Sequence, residues 1–397
     1  MEKFWLYLIH DTFIWSNDNS YLLYNCDLKQ FSEGQNSKVL ASILRQLQEI
    51  TNLNCVAIVP NVLRDKEVRF FIKNLINKSI GGLKHITDNP LDRPISFPPV
   101  LNIQSEIKRK QIESMNYLDP KIRFDYLSYI NSVSFDVDTS KQLSQLKSSL
   151  VELEPMQPKL IFSIDVNVGE IKSVLNEIIE ISRYMKNIFL SFNVDMYLKF
   201  ASYLENFFRI GDIIIEDNIH TIANYMKGSK SKAMKYFPCH FNTIIETKKD
   251  LMLYQQLRKT FEGKISVLPL LKYNGKNRDF ILGNIIFNQD ELKEKSYSKV
   301  EIFRHMSLNT NYFGKLYVNA KGDISSHQYY SSTLSNIEKL NAFRIAIKEE
   351  LNSKRSNWLL TRNQGRCEAC NYKYLCPPIS DIERSLTLEC VCSLLDK

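Results

Sequence analysis

Cys367, Cys370 and Cys376 stand in RCEACNYKYLCPP as a C-x2-C-x5-C array, and Cys390 and Cys392 follow in LECVC. Five of the eight cysteines therefore fall within the last 31 residues. In a reducing compartment, thiols this dense hold metal rather than pair as disulfides. A two-residue gap lets the chain wrap a metal with both sulfurs on one side, and the longer gap brings the third from another direction. Three ligands leave such a site incomplete, so Cys390 is the expected fourth, with Cys392 the alternative. Structural zinc sites usually pair two C-x2-C knuckles, and the second knuckle is missing here. Iron-sulfur clusters tolerate less regular gaps, so one cluster is the expected cofactor and zinc the runner-up. Arg362, Arg366 and Lys373 lie close enough in sequence to offset the charge of bound thiolates in either case.

Other candidate chemistry is sparse. Cys26, Cys55 and Cys239 are isolated in apolar or strand-like surroundings, as buried structural thiols are. Cys239 and His240 are adjacent, so on a strand they face opposite ways and cannot act as a nucleophile-base pair. Asp136, Asp138 and Asp165 sit near strand ends, where they either line a pocket or cap the next helix. The chain carries no P-loop, no G-x-G-x-x-G and no H-E-x-x-H.

The elements that position these residues follow from periodicity. Short apolar runs at Phe4 to Ile9, Thr12 to Trp15 and Tyr21 to Tyr24 predict a small antiparallel sheet. Helical patterns follow over about 37–50 and 65–79, the second with Val68, Phe71, Ile72 and Leu75 on one face and ending at Gly81-Gly82. Together these predict a winged-helix-like module over residues 1–88. The proline-rich NPLDRPISFPPV reads as a linker. Six strand candidates follow, at 130–137, 160–166, 188–194, 213–216, 241–245 and 265–271, separated by amphipathic stretches such as 168–186. This rhythm predicts an α/β unit over 89–310 whose parallel sheet is buried on both faces, either a partial (β/α)6 barrel or a doubly wound sheet. From 311 to 397 a hairpin turning at Ala-Lys-Gly-Asp, a helix over about 335–352 and the cysteine region complete the chain.

With 52 basic and 44 acidic residues, the net charge of +8 is a dilute excess, too weak for a dedicated nucleic-acid binder. Its densest stretch, Lys227, Lys230, Lys232 and Lys235, reads as a solvated loop. No run of eighteen apolar residues occurs, and the opening MEKFWLYLIHDTFIW lacks the layout of a signal peptide, so a cytoplasmic protein without membrane contact is expected.

The segment CEACNYKYLCPPISDIE, preceded by NWLLTRNQG, is similar to the C-terminal SPASM domain of radical SAM enzymes that modify ribosomally made peptides. LYVNAKGDISS and SNIEKL resemble the stretch before that domain, while FWLYLI and YLLYN resemble the leader-peptide recognition module of such systems. Over nearly its whole length the chain resembles the pseudo-radical SAM proteins of Bacteroidales peptide systems. The first barrel strand runs into SFDVDTSKQLSQL, with no cysteine, and no C-x3-C-x2-C occurs anywhere. The resemblance implies a non-catalytic protein that does not use S-adenosylmethionine, retains one auxiliary [4Fe-4S] cluster, and binds a precursor peptide or docks a true radical SAM maturase. An extended peptide would add to the N-terminal sheet, the helix at 65–79 forming the other wall and Arg69 and Lys73 meeting an acidic leader. His327 stands where the family usually has an upstream cysteine and reads as a surface hairpin histidine. Two other readings are a redox or peptide-modifying enzyme acting through the cluster and a zinc-stabilised nucleic-acid binder.

Overall fold

The computed structural model describes residues 3–100, 126–204, 207–229, 240–261, 265–285, 289–329 and 331–386. The N-terminal part comprises strands β1 (Phe4–Leu8), β2 (Thr12–Ser16), β3 (Ser20–Asn25), β4 (Gln30–Gln35), β5 (Cys55–Ile58) and β6 (Gly81–His85), with helices α1 (Lys38–Gln48) and α2 (Lys66–Asn77). The strands form two three-stranded antiparallel sheets, ordered β5-β1-β6 and β2-β3-β4. Both helices start on side-chain caps: Ser37 accepts from the Leu40 amide, and Asp65 from those of Glu67 and Val68. Gly81 and Gly82 do not end α2, as the sequence reading has it, but open β6. The helix stops at Asn77 and Ser79 takes a left-handed φ of 57°. A Cβ on Gly81 would stand 2.3 Å from the Tyr7 carbonyl oxygen, so glycine is required by the close strand approach.

Strict alternation makes β2-β3-β4 a two-sided sheet. Ile14, Tyr21 and Leu23 face the N-terminal core, with Leu6, Leu44 and Phe71. Phe13, Trp15, Leu22 and Tyr24 face the other way and pack with Leu292, Tyr297, Ile302, Tyr372 and Leu375. The cysteine segment is thus fastened to the back of the N-terminal module. The proline-rich stretch is tied down as well: Arg93 lies over the Trp5 ring and donates to the Asn52 carbonyl at 2.8 Å.

All six strands of the α/β unit form: β7 (Ser132–Val137), β8 (Lys159–Ile164), β9 (Ile188–Phe192), β10 (Asp212–Asn218), β11 (His240–Ile245) and β12 (Ser266–Leu271). They are parallel and lie side by side in chain order, with α3 (Ser140–Leu150), α4 (Ile171–Ile181), α5 (Val194–Phe200), α6 (Ile219–Ser229) and α7 (Lys248–Thr260) between them. Beyond β7 the sheet continues through β13 (Lys315–Val318), β14 (Asp323–Ser325) and β15 (Ser335–Asn336), giving nine strands. From β7 to β12 the order steps one way only, so right-handed crossovers place α3 to α7 on one face, and the return to β13, parallel to β7 on its other side, is the one reversal among the described strands.

Burial agrees with that arrangement and corrects the expectation of two covered faces. Val133, Phe135, Leu160, Phe162, Leu190, Ile213 and Phe241 are buried on the helix side. Ser132, Ser134, Lys159, Ser163, Ser191, His240 and Asn242, on the opposite side, are half-buried. The reason is in the sequence: SVSFDV sets Ser132, Ser134 and Asp136, KLIFSI sets Lys159 and Ser163, and HFNTII sets His240 and Asn242 on the same side, which is therefore not fully buried.

The remaining helices are α8 (Arg278–Ile285), α9 (Gln289–Glu294), α10 (Lys299–Ser307), α11 (Ala342–Asn352) and α12 (Asp381–Ser385). Helix α11 starts seven residues later than the pattern suggests, because Ser335–Asn336 pairs with β14. Among the described residues no helix is long and apolar enough to cross a membrane. Leu375, 1% exposed, is central to the seam between the N-terminal sheet and the cysteine segment. Leu375→Ala is expected to cost about 2–5 kcal/mol in urea unfolding, whereas a loss below about 0.5 kcal/mol would show that the seam carries little packing energy.

Candidate metal centre

The cysteine segment follows a buried anchor, Trp358, whose indole donates to the Lys315 carbonyl at 3.0 Å. Gly365, at a left-handed φ of 58°, turns the chain into a single 3-10 turn that carries Cys367. The Cys370 amide then donates to the Cys367 carbonyl at 3.0 Å, and that of Cys376 to Tyr372 at 3.1 Å. These tight turns hold the three half-buried thiols on one short loop. The loop is pinned from two directions. Asn17 donates to the Ala369 carbonyl, Asn371 to Ser20 and Tyr372 to the Glu33 carboxylate, all on the N-terminal sheet. From the other side Asn309 donates to the Ile379 carbonyl at 2.9 Å, and His305 Nδ1 lies 2.9 Å from that of Tyr374.

Arg362 supplies the electrostatics. Its guanidinium is almost buried, donates to Glu383 at 2.8 Å and the Pro377 carbonyl at 2.7 Å, and approaches Cys367 Sγ at 3.8 Å. Burial alone would lower its pKa, but Glu383 and the sulfurs of Cys376 and Cys367 raise it above the usual value. One fixed cation therefore faces two of the three thiols. Cys26 has the opposite surroundings: burial and the carboxylates of Asp11 and Asp27 push its thiol up to about 12. It packs on the same aromatic cluster as Cys370 and Cys376, yet it is held neutral.

Cys390 and Cys392, like Cys239, Lys230, Lys232 and Lys235, lie outside the described residues. Among those described, no three metal-ligating side chains converge on a point. The donor set still suits a thiolate-bound metal in kind, with three soft ligands on one pinned loop beside a fixed positive charge.

His327 corrects the reading of a surface histidine. It is 3% exposed, its Nε2 lies 2.6 Å from Asp381 Oδ1, and its Nδ1 accepts from the Tyr329 amide at 3.0 Å. An accepting Nδ1 fixes the proton on Nε2, and both ring nitrogens are engaged. Asp381 also accepts from Tyr312 at 2.5 Å. Burial would raise the Asp381 pKa, but His327, Tyr312 and Arg384 hold it below the usual carboxylate range. Sequence spacing could not reveal this tie, because its partners are 54 residues apart.

The other candidates are dispersed. Asp136, Asp138 and Asp165 are exposed, and Thr139, not an aspartate, caps α3. Arg69 and Lys73 are exposed one turn apart on α2. The unpaired edge of the N-terminal sheet beside a cleft is β5, whose neighbouring wall is α1 and not α2. A groove of about 390 Å³ runs there, between Val39, Ser42, Ile43 and Gln46 of α1 and Val56 to Val59, ending at Val62.

No family model matches the chain, and no curated protein matches it.

Cys26 offers a pH test. A folded thiol pKa of about 12 against an ordinary value of 9.0 means that its stabilising effect is complete below pH 9 and is lost as pH rises towards 12. Cys26→Ala is expected to flatten that alkaline limb relative to the parent in urea titrations from pH 8 to 11. Identical limbs for the two proteins would contradict the assignment.

Proposed function

We propose that this chain is a non-catalytic pseudo-radical SAM protein that holds a ribosomal precursor peptide, a radical SAM maturase, or both, and keeps one [4Fe-4S] cluster on its cysteine loop. In this reading the in-order parallel strands are an opened (β/α)6 partial barrel, the N-terminal part is a winged-helix-like recognition module, and the last segment is SPASM-like. The in-order parallel strands with helices on one face support the barrel reading.

The observation that carries the cluster is Arg362, a buried cation that faces Cys367 and Cys376 and has, among the described residues, the one carboxylate partner Glu383. Such a charge stabilises thiolates over thiols. Cys367, Cys370 and Cys376 would hold the group, with Cys390 the fourth ligand and Cys392 the alternative. When bound, a cluster supplies a cross-link and a one-electron relay. The loop's seat on the back of the N-terminal sheet couples this site to the module that meets the peptide. There the free edge of β5 offers backbone hydrogen bonds to an extended segment, and the α1 groove takes its alternate side chains. Arg69 and Lys73, on the helix that begins just past the end of the groove, supply charge for an acidic leader.

Anaerobic purification with iron and sulfide analysis tests the cluster, and about four irons per chain are expected. Serine at Cys367, Cys370 or Cys376 should abolish most of the iron, and Cys390→Ser compared with Cys392→Ser identifies the fourth ligand. Colourless protein, or zinc alone, would remove the cluster, and unaided cleavage of S-adenosylmethionine would remove the non-catalytic reading.

Ser42→Trp tests the groove, since Ser42 is exposed and an indole there would fill the cleft beside β5. Precursor-peptide affinity is expected to fall about tenfold or more, the equivalent of ~1.4 kcal/mol, with an unchanged melting temperature. Unchanged affinity would place the peptide elsewhere.

A further inference from the structure

The open face of the nine-stranded sheet carries two amines in one row. Lys315 pairs in register with Ser132, and Ser132 with Lys159, so the three side chains leave the same face on adjacent strands. Across three strands at the usual spacing the two lysine Cα atoms stand about 10 Å apart, with the serine hydroxyl between them. Neither amine has a carboxylate within ion-pair distance among the described residues. Lys159 Nζ lies 3.8 Å above the Phe189 ring, and Lys315 is held at its backbone by the Trp358 indole.

Both ammonium groups are half-buried, and Lys315 adds to the cost of charging Lys159. Burial lowers the pKa of Lys159, an effect that Asp212 opposes and Lys315 reinforces. Burial likewise lowers that of Lys315 against the more distant Asp381, whose carboxylate is already engaged by His327 and Tyr312. Half-buried charges in folded proteins are normally neutralised. Two side by side, aimed at a face lined by short hydroxyls such as Ser134, Ser163 and Ser191, leave a place for negative charge and the room to reach it.

We infer that Lys159 and Lys315, with Ser132 between them, form a binding site for a small anion bearing a phosphate or carboxylate group. The amines bracket the anion, the serine hydroxyl donates between them, and Phe189 gives the Lys159 side an apolar wall. The site uses neither the cysteine loop nor the β5 groove, so it stands or falls separately from the proposed function.

Calorimetric titration of the purified chain at low salt with inorganic phosphate, and in parallel with succinate, tests the site and separates the two ligand chemistries. Lys159→Met and Lys315→Met are each expected to weaken binding about tenfold or more, while Lys172→Met, an exposed lysine on α4, leaves it unchanged. A second measurement covers a variant that folds poorly: in the parent protein, acylation of Lys159 and Lys315, read by peptide mass mapping, should slow when the anion is present, with Lys172 unaffected. Failure of both anions to bind, or binding that survives both substitutions with no protection of the two amines, would overturn the assignment.

Discussion

The alternation of β2 and β3 is the constraint from which the rest of the molecule hangs. A strand shows successive side chains to opposite faces, so Ile14, Tyr21 and Leu23 can complete one core only while Phe13, Trp15, Leu22 and Tyr24 are left for another. Four large side chains facing water would expose a substantial apolar patch, and the cysteine segment, with Tyr297 and Leu375, covers it. Polar contacts around the rim fix the register. Tyr24 both receives the Tyr297 amide at 2.8 Å and donates to the Tyr297 carbonyl, and Lys299 pairs with Asp11 at 2.8 Å. A one-residue slip of β3 would invert both cores at once. The beginning and end of the chain are therefore one packing problem.

That shared seam also explains why neighbouring cysteines differ in character. Cys26 enters it from β3, beneath acidic side chains and away from any stabilising cation other than Lys299, and its neutral form is the one that fits. Cys367 enters from the rim, where the Arg362–Glu383 pair reaches it with a guanidinium. The same residue type thus meets carboxylates in one place and a guanidinium in the other. The two thiols, both half-buried, differ in the sign of the fixed charges beside them.

Where local pattern governs, the sequence was readable. Six strands of the α/β unit and two N-terminal helices stand where periodicity places them. Strands β4, β5 and β6 were not legible, because QFSEGQ, CVAI and GGLKH are too short or too polar to carry a strand signal alone and are strands only through their partners. The groove beside α1 inherits that blindness, being built on β5. His327 and Lys315 show the same limit in the site regions: one is buried by Asp381 from far along the chain, the other set beside Lys159 by a ladder to β7. Long-range pairing, which no local window contains, decides the role of both.

The one-sided sheet bears on what kind of protein this is. On the helix side, Phe135 stacks on Phe162 and large apolar groups fill the space, whereas the open side carries serines at four ladder positions on β7, β8 and β9. Short hydroxyls leave volume without supplying a base or a metal ligand. Catalysis on such a sheet ordinarily draws on groups at the carboxyl ends of the strands, and the aspartates there, Asp136, Asp138 and Asp165, are exposed. Polar groups that are fixed and close together stand elsewhere: the Arg362–Glu383 pair beside the thiols, the His327–Asp381–Tyr312 tie, and the lysines bracketing Ser132. Each is arranged to hold an element or a charge in place.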